Sequence, residues 1–400
     1  MAVDMNAVGI VAEFNPFHNG HRYLIYEAKR RTGSDSAIVV MSASFVQRGE
    51  PACFDKYTRT RHALANGADI VIELPDIASV SCAESFANAA IGLLVSTGVV
   101  SSIAFGSECG DCERLNEAST AEIDAEALAK ALADGLSYPA ALSKAVTSFK
   151  DQAPGPNDIL AIEYIKSLNK YNSNIPVFPI KRIGAGHDDV SIIGETASAN
   201  AIRSAALEGN IGVIRDAVPP DVFGDIDKGM KSGSFPATLS ALSAPILASL
   251  RSLGTHGIAM LADVSEGLEN PIMNAALYCS SVYDLLSEVK TKRYTMARLK
   301  RIMISALLGT TKELAACAAE NASRYIHVLG VREDKKQLLK RLKENAAVPV
   351  VISSDDTALL SASALRIFEH TNRASLLRAL ACPKDKTAVN DLSHRLVTYP

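Results

Sequence analysis

The sequence predicts an α/β fold, a doubly wound parallel sheet over the first half of the chain followed by a mainly α-helical C-terminal domain. Three observations carry this. Five short apolar runs rich in β-branched residues recur up to residue 182, helix-patterned stretches fill the intervals between them, and the strand-like runs give way to helical periodicity after about residue 210. A βαβα order of this kind builds a sheet covered by helices on both faces, with ligands at the carboxyl ends of the strands.

The strand candidates are AVGIVAEF (7–14), AIVVMSA (37–43), DIVIELP (69–75), SSIAFGS (101–107) and IPVFPIKR (175–182). Each is apolar nearly throughout, as a strand buried on both faces must be. Helices are expected near 19–32, 55–67, 82–97, 121–133 and 156–170. A chain of 400 residues exceeds what one core holds, so two domains are expected. We read 1–210 as the catalytic domain, 211–245 as a connecting segment, and 246–400 as the helical domain, with a strand pair near 348–353.

Composition excludes several classes. With 48% hydrophobic residues, 21% charged and a net charge of −3, the chain reads as an ordinary globular protein, so nucleic-acid binding must rest on local clustering. The opening residues lack the pattern of a secretory leader, and no apolar run is long enough for a membrane span, so a cytoplasmic location is expected. The seven cysteines are scattered and odd in number, which fits free thiols in a reducing compartment. Cys109 and Cys112 form a CxxC with no second pair at zinc spacing, so no metal site is expected there.

The stretch EFNPFHNGH (13–21) places two histidines three apart directly after the first strand. His18 falls in the turn and His21 in the first helical turn, so both imidazoles can face one point beside a helix N-terminus, whose free N–H groups favour anions. A phosphate is the natural guest, and Gly20 lets a ligand approach the backbone. The plainer alternative is a capped helix start with a satisfied surface histidine.

With Phe14 and Pro16 ahead of it, His18-Asn19-Gly20-His21 resembles the HxGH signature of the nucleotidyltransferase superfamily, whose Rossmann-like sheet is the fold expected here. That superfamily attacks the α-phosphate of ATP and expels pyrophosphate without a covalent enzyme intermediate. Imidazole N–H groups and cations there hold developing charge, each donor being worth on the order of 3 kcal/mol. The superfamily's second element, a Ser/Thr-rich helix start followed by Ile-Arg, is matched by TASANAIRSA (196–205), with Ser198 as cap and Arg203 toward the triphosphate. Asn200 stands where Thr is expected. The resemblance makes His18, His21 and Arg203 the catalytic candidates.

Further blocks narrow the choice: SASFVQRGEP (42–51), DKYTRTRHAL (55–64) with Lys56, Arg59 and Arg61, GADIVIELP (67–75), AFGSE (104–108), PNDILAIEYIK (156–166) and PIKRIGAG (179–186). In this order they resemble the bacterial tRNA(Met) cytidine acetate ligase family. The resemblance implies that ATP activates acetate to acetyl-adenylate and that the acetyl group passes to the wobble cytidine of elongator tRNA(Met). Magnesium is expected with ATP, acetyl-CoA is not used, and neither a membrane nor an obligate protein partner is implied. Carried over by position, the ATP site comprises Val11, Ala12, Glu13, Phe14, Asn15, Pro16, Phe17, His18, Asn19, Gly20, His21, Arg22, Tyr23 and Leu24, together with Gly106, Asn157 and Arg182. Read from the residues alone, Gly106 equally fits a turn glycine and Asn157 a helix N-cap. Arg182 closes a buried strand, where a guanidinium facing a phosphate or adenine is expected. For acetate, Ser44, Gln47 and Arg48 stay open as donors, as does any role for His187.

A tRNA substrate requires a basic surface. Between Lys290 and Lys343 stand fourteen Lys and Arg against four acids. Lys292, Arg293, Arg298 and Arg301 are the tRNA-binding candidates, and Tyr294 and Tyr325 offer faces for stacking. Two rivals use the same residues: an adenylate-forming ligase or nucleotidyltransferase with a small-molecule acceptor, and a binding module without chemistry.

Overall fold

The structure, a computed structural model, describes residues 6–121, 125–134, 141, 154–182, 197–265, 267–321 and 323–400. His187 lies outside them. Among the described residues ten strands are present: β1 (Ala7–Ala12), β2 (Ser36–Ser42), β3 (Phe45–Val46), β4 (Glu50–Pro51), β5 (Ile70–Leu74), β6 (Val100–Ser107), β7 (Val177–Lys181), β8 (Ile326–Arg332), β9 (Val350–Val351) and β10 (Val397–Tyr399). Eight form one sheet in the order β10-β8-β5-β2-β1-β6-β7, with β9 on β8, while β3 and β4 make a separate hairpin.

The five strands β5, β2, β1, β6 and β7 are parallel. Each of the five apolar runs read from the sequence became one of them. In β2, Ile38 and Val40 enter the core on one face, and Ala37, Val39 and Met41 enter the core on the other. The period-2 alternation of a strand therefore sends apolar side chains both ways, and each fully buried branched side chain contributes about 1.5–3 kcal/mol. From β1 the chain proceeds through β2 to β5 on one side, then restarts at β6 on the other side of β1. The order thus reverses between β1 and β6, and the crevice at their carboxyl ends is where such sheets bind ligands.

Helices Asn19–Thr32, Lys56–Ala65, Ala83–Ser96 and Pro156–Lys170 agree with the reading. The one expected at 121–133 begins earlier, as Cys112–Thr120 and Ala125–Ala133. The first of these helices carries Lys29, Arg30 and Arg31 in its last turn, where cations meet the negative end of the dipole, and Gly33 closes it at φ +67°.

The second half departs from expectation. Residues 211–245 are more than a connector, because helix Pro220–Ser232 buries Val222 and Ile226, with Ile214 and Val218, in the core beneath β1 and β2. Nor is 246–400 a helical unit apart from the sheet. β8 pairs antiparallel with β5, and β9 and β10 both pair with β8. β8 follows a helical stretch closely and its partner β5 lies hundreds of residues away, so periodicity alone does not mark it, while β9 stands within the stretch 348–353 where strand structure is expected. What is mainly helical is 243–308, whose helices Ser243–Ala259, Glu269–Tyr278, Val282–Val289 and Met296–Leu308 enclose a core of their own.

The hairpin β3–β4 joins the two regions. Phe45 is buried in the helical core, and at Gly49 (φ +75°) a β-carbon would stand 2.5 Å from the Arg301 backbone nitrogen. Only glycine allows that approach.

A buried ionic cluster ties the segment ahead of the last strand to the sheet. Lys56 pairs with Glu73 and, at 2.5 Å, with Asp391; Tyr57 donates to Asp391 at 3.1 Å, and His327 meets Glu73 at 2.7 Å.

Candidate functional site

The loop after β1 is built to hold two imidazoles. Phe14 and Phe17 are fully buried, their rings 4.9 and 5.6 Å from that of His21, and this packing keeps Phe14 at φ +49°. The side-chain carbonyl of Asn15 accepts the Cys53 N–H at 2.7 Å. These residues frame the loop from beneath.

His18 is the N-cap of helix Asn19–Thr32. Its Nδ1 accepts the Gly20 N–H at 3.1 Å, and the Nδ1 of His21 accepts the His18 N–H at 3.3 Å, a capping box made of two imidazoles. With both Nδ1 atoms accepting, the neutral rings carry their proton on Nε2. The rings stack with centroids 3.7 Å apart. Burial, followed by the neighbouring His18 and then Arg182, holds His21 well below the usual imidazole range. The pair therefore offers neutral N–H donors beside a helix N-terminus. At Gly20 a β-carbon would stand 2.9 Å from the His18 ring, so glycine is required there by the imidazole itself.

In front of the pair lies a cleft of about 440 Å³, a size that suits a nucleotide. It brings together His18, Asn19, Gly20, His21, Arg22, Tyr23 and Leu24 from the loop and helix, Gly106 from β6, and Arg182 just after β7. A β-carbon at Gly106 would meet Arg182 at 3.6 Å, an ordinary contact, so packing within the protein does not demand glycine there. Among the described residues, no carboxylate lines the cleft.

Other expected site residues stand behind it. Val11 and Ala12 belong to β1. Glu13 accepts the Gln47 N–H at 2.8 Å, and burial raises its carboxyl against the lowering effects of that bond, Arg203, Arg48 and Arg59. Ser198 caps helix Ala199–Leu207 by accepting the Ala201 N–H at 3.0 Å. That helix brings Arg203 to the back of the loop and not into the cleft lining: it donates to the Asn15 carbonyl at 2.7 Å and lies 3.7 Å from Glu50.

Asn157 does not line the cleft, and Gly155 is the N-cap of its helix. Asn157 donates to Glu108 at 2.5 Å, and Glu108 also accepts the Asp158 N–H at 2.9 Å. Asp158 in return accepts from the Ser107 hydroxyl at 2.5 Å and the Glu108 N–H at 3.0 Å. The GSE and PND stretches thus clasp each other and fix the end of β6 beside the cleft. Sequence reasoning missed Glu108 and Asp158 as partners because 50 residues separate them.

Among the acetate candidates, Ser44 is buried against Ser375 at 3.0 Å and lines a second cavity of about 480 Å³ beside Lys56 and Arg378. Gln47 and Arg48 sit in the hairpin beside Glu13. Arg59 is fully buried, donating to the carbonyls of Glu13 and Ser42, both at 2.8 Å, and to that of Ala43.

The basic run divides between two ends of the sheet. Lys335 donates to Ser36, the first residue of β2, and Arg332 pairs with Asp334 and Asp69 just before β5, which puts both at the end opposite the cleft. Lys292 and Arg293 are exposed on the other part. Arg298 is bound to the Asp263 carbonyl at 3.0 Å and to Ser265 at 2.6 Å, and buried Arg301 pairs with Asp263 at 2.6 Å. Through these bonds the two brace the helical core. Tyr325, expected as a stacking face, is buried against Phe368.

Comparison with known proteins agrees with this geometry. The profile of the HIGH Nucleotidyl Transferase family matches residues 5–390. A tRNA(Met) cytidine acetate ligase of Caldanaerobacter subterraneus subsp. tengcongensis is 38% identical over 358 residues, covering 87% of this chain and 88% of the relative. The crystal structure of apo TmcAL from Thermotoga maritima superposes with a TM-score of 0.91 at 30% identity, over 99% of this chain and 100% of that one. A second crystal form of that protein, bound with alpha-thio ATP, gives 0.90 over the same coverage.

Proposed function

The chain belongs to the HIGH nucleotidyl transferase family and, within it, to the tRNA(Met) cytidine acetate ligases, and on that premise we propose the following course for its reaction. ATP and acetate form acetyl-adenylate with release of pyrophosphate. The exocyclic amine of the wobble cytidine of elongator tRNA(Met) then attacks the acetyl carbonyl, AMP leaves, and the amine loses a proton. Acetyl-CoA takes no part. The enzyme works in the cytoplasm, where its tRNA substrate is.

The observation that carries this reading is the stacked pair His18 and His21, two neutral N–H donors at a helix N-terminus over the sheet's switch point. Donors fixed in advance stabilise the charge that grows on the α-phosphate and on departing pyrophosphate without reorganising as it forms. The loop from Val11 to Leu24, Gly106 and Arg182 hold ATP, with the β6 end kept in place by the Asn157 clasp. Arg203 acts from behind, gripping the loop at Asn15 and supplying positive potential. Magnesium enters on the triphosphate, whose oxygens suit a hard cation. Lys292 and Arg293 contact the tRNA backbone.

The test incubates the protein with ATP, magnesium, isotope-labelled acetate and bulk bacterial tRNA, then searches the digested RNA for labelled acetylcytidine by mass spectrometry. Label that disappears when tRNA(Met) is withheld supports both half-reactions. Pyrophosphate release with a different acid, and none in RNA, moves the acceptor to a small molecule.

A further inference from the structure

An amine on an RNA base can reach an adenylate in the cleft only if the base leaves its stack and is held at the cleft's edge. Unstacked bases are usually received by an aromatic face close to positive charge. The two tyrosines singled out by sequence do not offer one: Tyr325 is buried, and Tyr294 is half-buried and packed against the helical core.

Tyr283 does. It stands in the first turn of helix Val282–Val289 and is 44% exposed, while the helix is anchored through Val282, Leu285, Leu286 and Val289. The ammonium of Lys300 lies 5.8 Å from its ring centroid. Lys300 in turn pairs with one oxygen of Glu50, whose other oxygen is 3.7 Å from Arg203, and Arg203 holds the Asn15 carbonyl three residues before His18. The charges of Glu50 and Arg203 reach the Tyr283 phenol. A continuous chain of contacts therefore runs from an exposed ring on the helical region to the loop carrying the two imidazoles.

We infer that Tyr283 is the platform on which an unpaired base of the acceptor RNA stacks, positioned by Lys300 and Glu50 at the outer end of the contacts that lead to the imidazole loop. This rests on the acetyl-transfer reading above. Lys292 and Arg293, exposed in the turn before helix Met296–Leu308, lie where the adjoining phosphates would pass. The ring supplies affinity for any base, and the neighbouring charge fixes its depth.

The two half-reactions separate this role from a structural one. Acetate-dependent ATP–pyrophosphate exchange without tRNA reads the cleft alone, and acetylation of a tRNA(Met) transcript reads both. Tyr283→Ala is expected to raise the KM for tRNA by about tenfold with exchange unchanged, and Tyr283→Phe is expected to restore acetylation to near wild type. A Tyr283→Ala enzyme that acetylates tRNA normally, or loses both half-reactions equally, overturns the inference, as does a Phe variant no better than Ala. Absence of exchange in the wild-type enzyme would instead overturn the acetate-ligase reading itself.

Discussion

The rings of His18 and His21 stack 3.7 Å apart, and each Nδ1 accepts a backbone N–H of the helix start they share. One contact thus sets helix cap, ring orientation and tautomer together, leaving both Nε2–H groups as donors. Protonating either ring would break its cap bond and place a positive charge against the other.

Loss of either donor should slow chemistry more than it weakens the fold. His18→Asn keeps a capping acceptor and removes the imidazole, and His21→Ala removes the second ring. Each should lower the acetate-dependent exchange rate by about 10²–10³-fold with circular dichroism unchanged. Exchange at wild-type rates in both variants would falsify the assignment of the site.

The stability of the pair depends on pH in a defined direction. His21 is held well below its usual value of 6.5, so as pH falls through 6.5 the unfolded chain takes up the proton before the folded protein does. Stability falls accordingly, down to the folded value, and His21→Asn does not share that loss. The gap in melting temperature between wild type and His21→Asn should shrink between pH 7.5 and pH 5.5. A constant gap would show that the imidazole titrates normally.

Asp76 titrates the opposite way. Burial pushes its carboxyl up to about 8; one oxygen accepts the Ser44 and Phe45 N–H groups at 2.8 and 2.7 Å, while the other is buried with no partner. Between 3.8 and about 8 the folded state holds a proton that the unfolded state has released, so this residue's contribution falls as pH rises across that window. Asp76→Asn retains the accepting oxygen and removes the ionisation. Urea unfolding at pH 6 and pH 8.5 should show the wild type losing stability relative to Asp76→Asn at the higher pH, and parallel behaviour would refute the raised value.

Lys56 joins two carboxylates with side chains no more than 2% exposed. Lys56→Met leaves Glu73 and Asp391 buried without their cation, and the expected cost is about 3–5 kcal/mol. Replacing all three by apolar residues should recover much of it. A single Lys56→Met variant as stable as wild type in urea would mean that the cluster is solvated.

What the sequence made legible follows from which forces are local. β1, β2, β5, β6 and β7 could be read because strands covered on both faces are apolar nearly throughout. The imidazole pair could be read because cap, turn and helix start lie within nine residues. Pairings between residues far apart in the chain could not: β8 on β5, Asp391 on Lys56, and, across 38 residues, Arg301 on Asp263 give no local periodicity. A count of charge along the chain likewise carries no partners: Arg332 and Lys335 of the basic run lie at the far end of the sheet. Tyr283 was missed because one exposed tyrosine in an amphipathic helix differs from any other only by its neighbours in space.

The antiparallel pairing of β8 with β5 also has a consequence for how the protein is made. A ribosome finishes β5 at Leu74 and must add roughly 250 residues before β8 can pair with it. At bacterial elongation rates this takes on the order of 10–50 s, during which the apolar β5 has an open edge on the nascent chain. Chaperones that shield unpaired strand edges should therefore engage this polypeptide during translation, and products that stop before Ile326 should aggregate when synthesised alone.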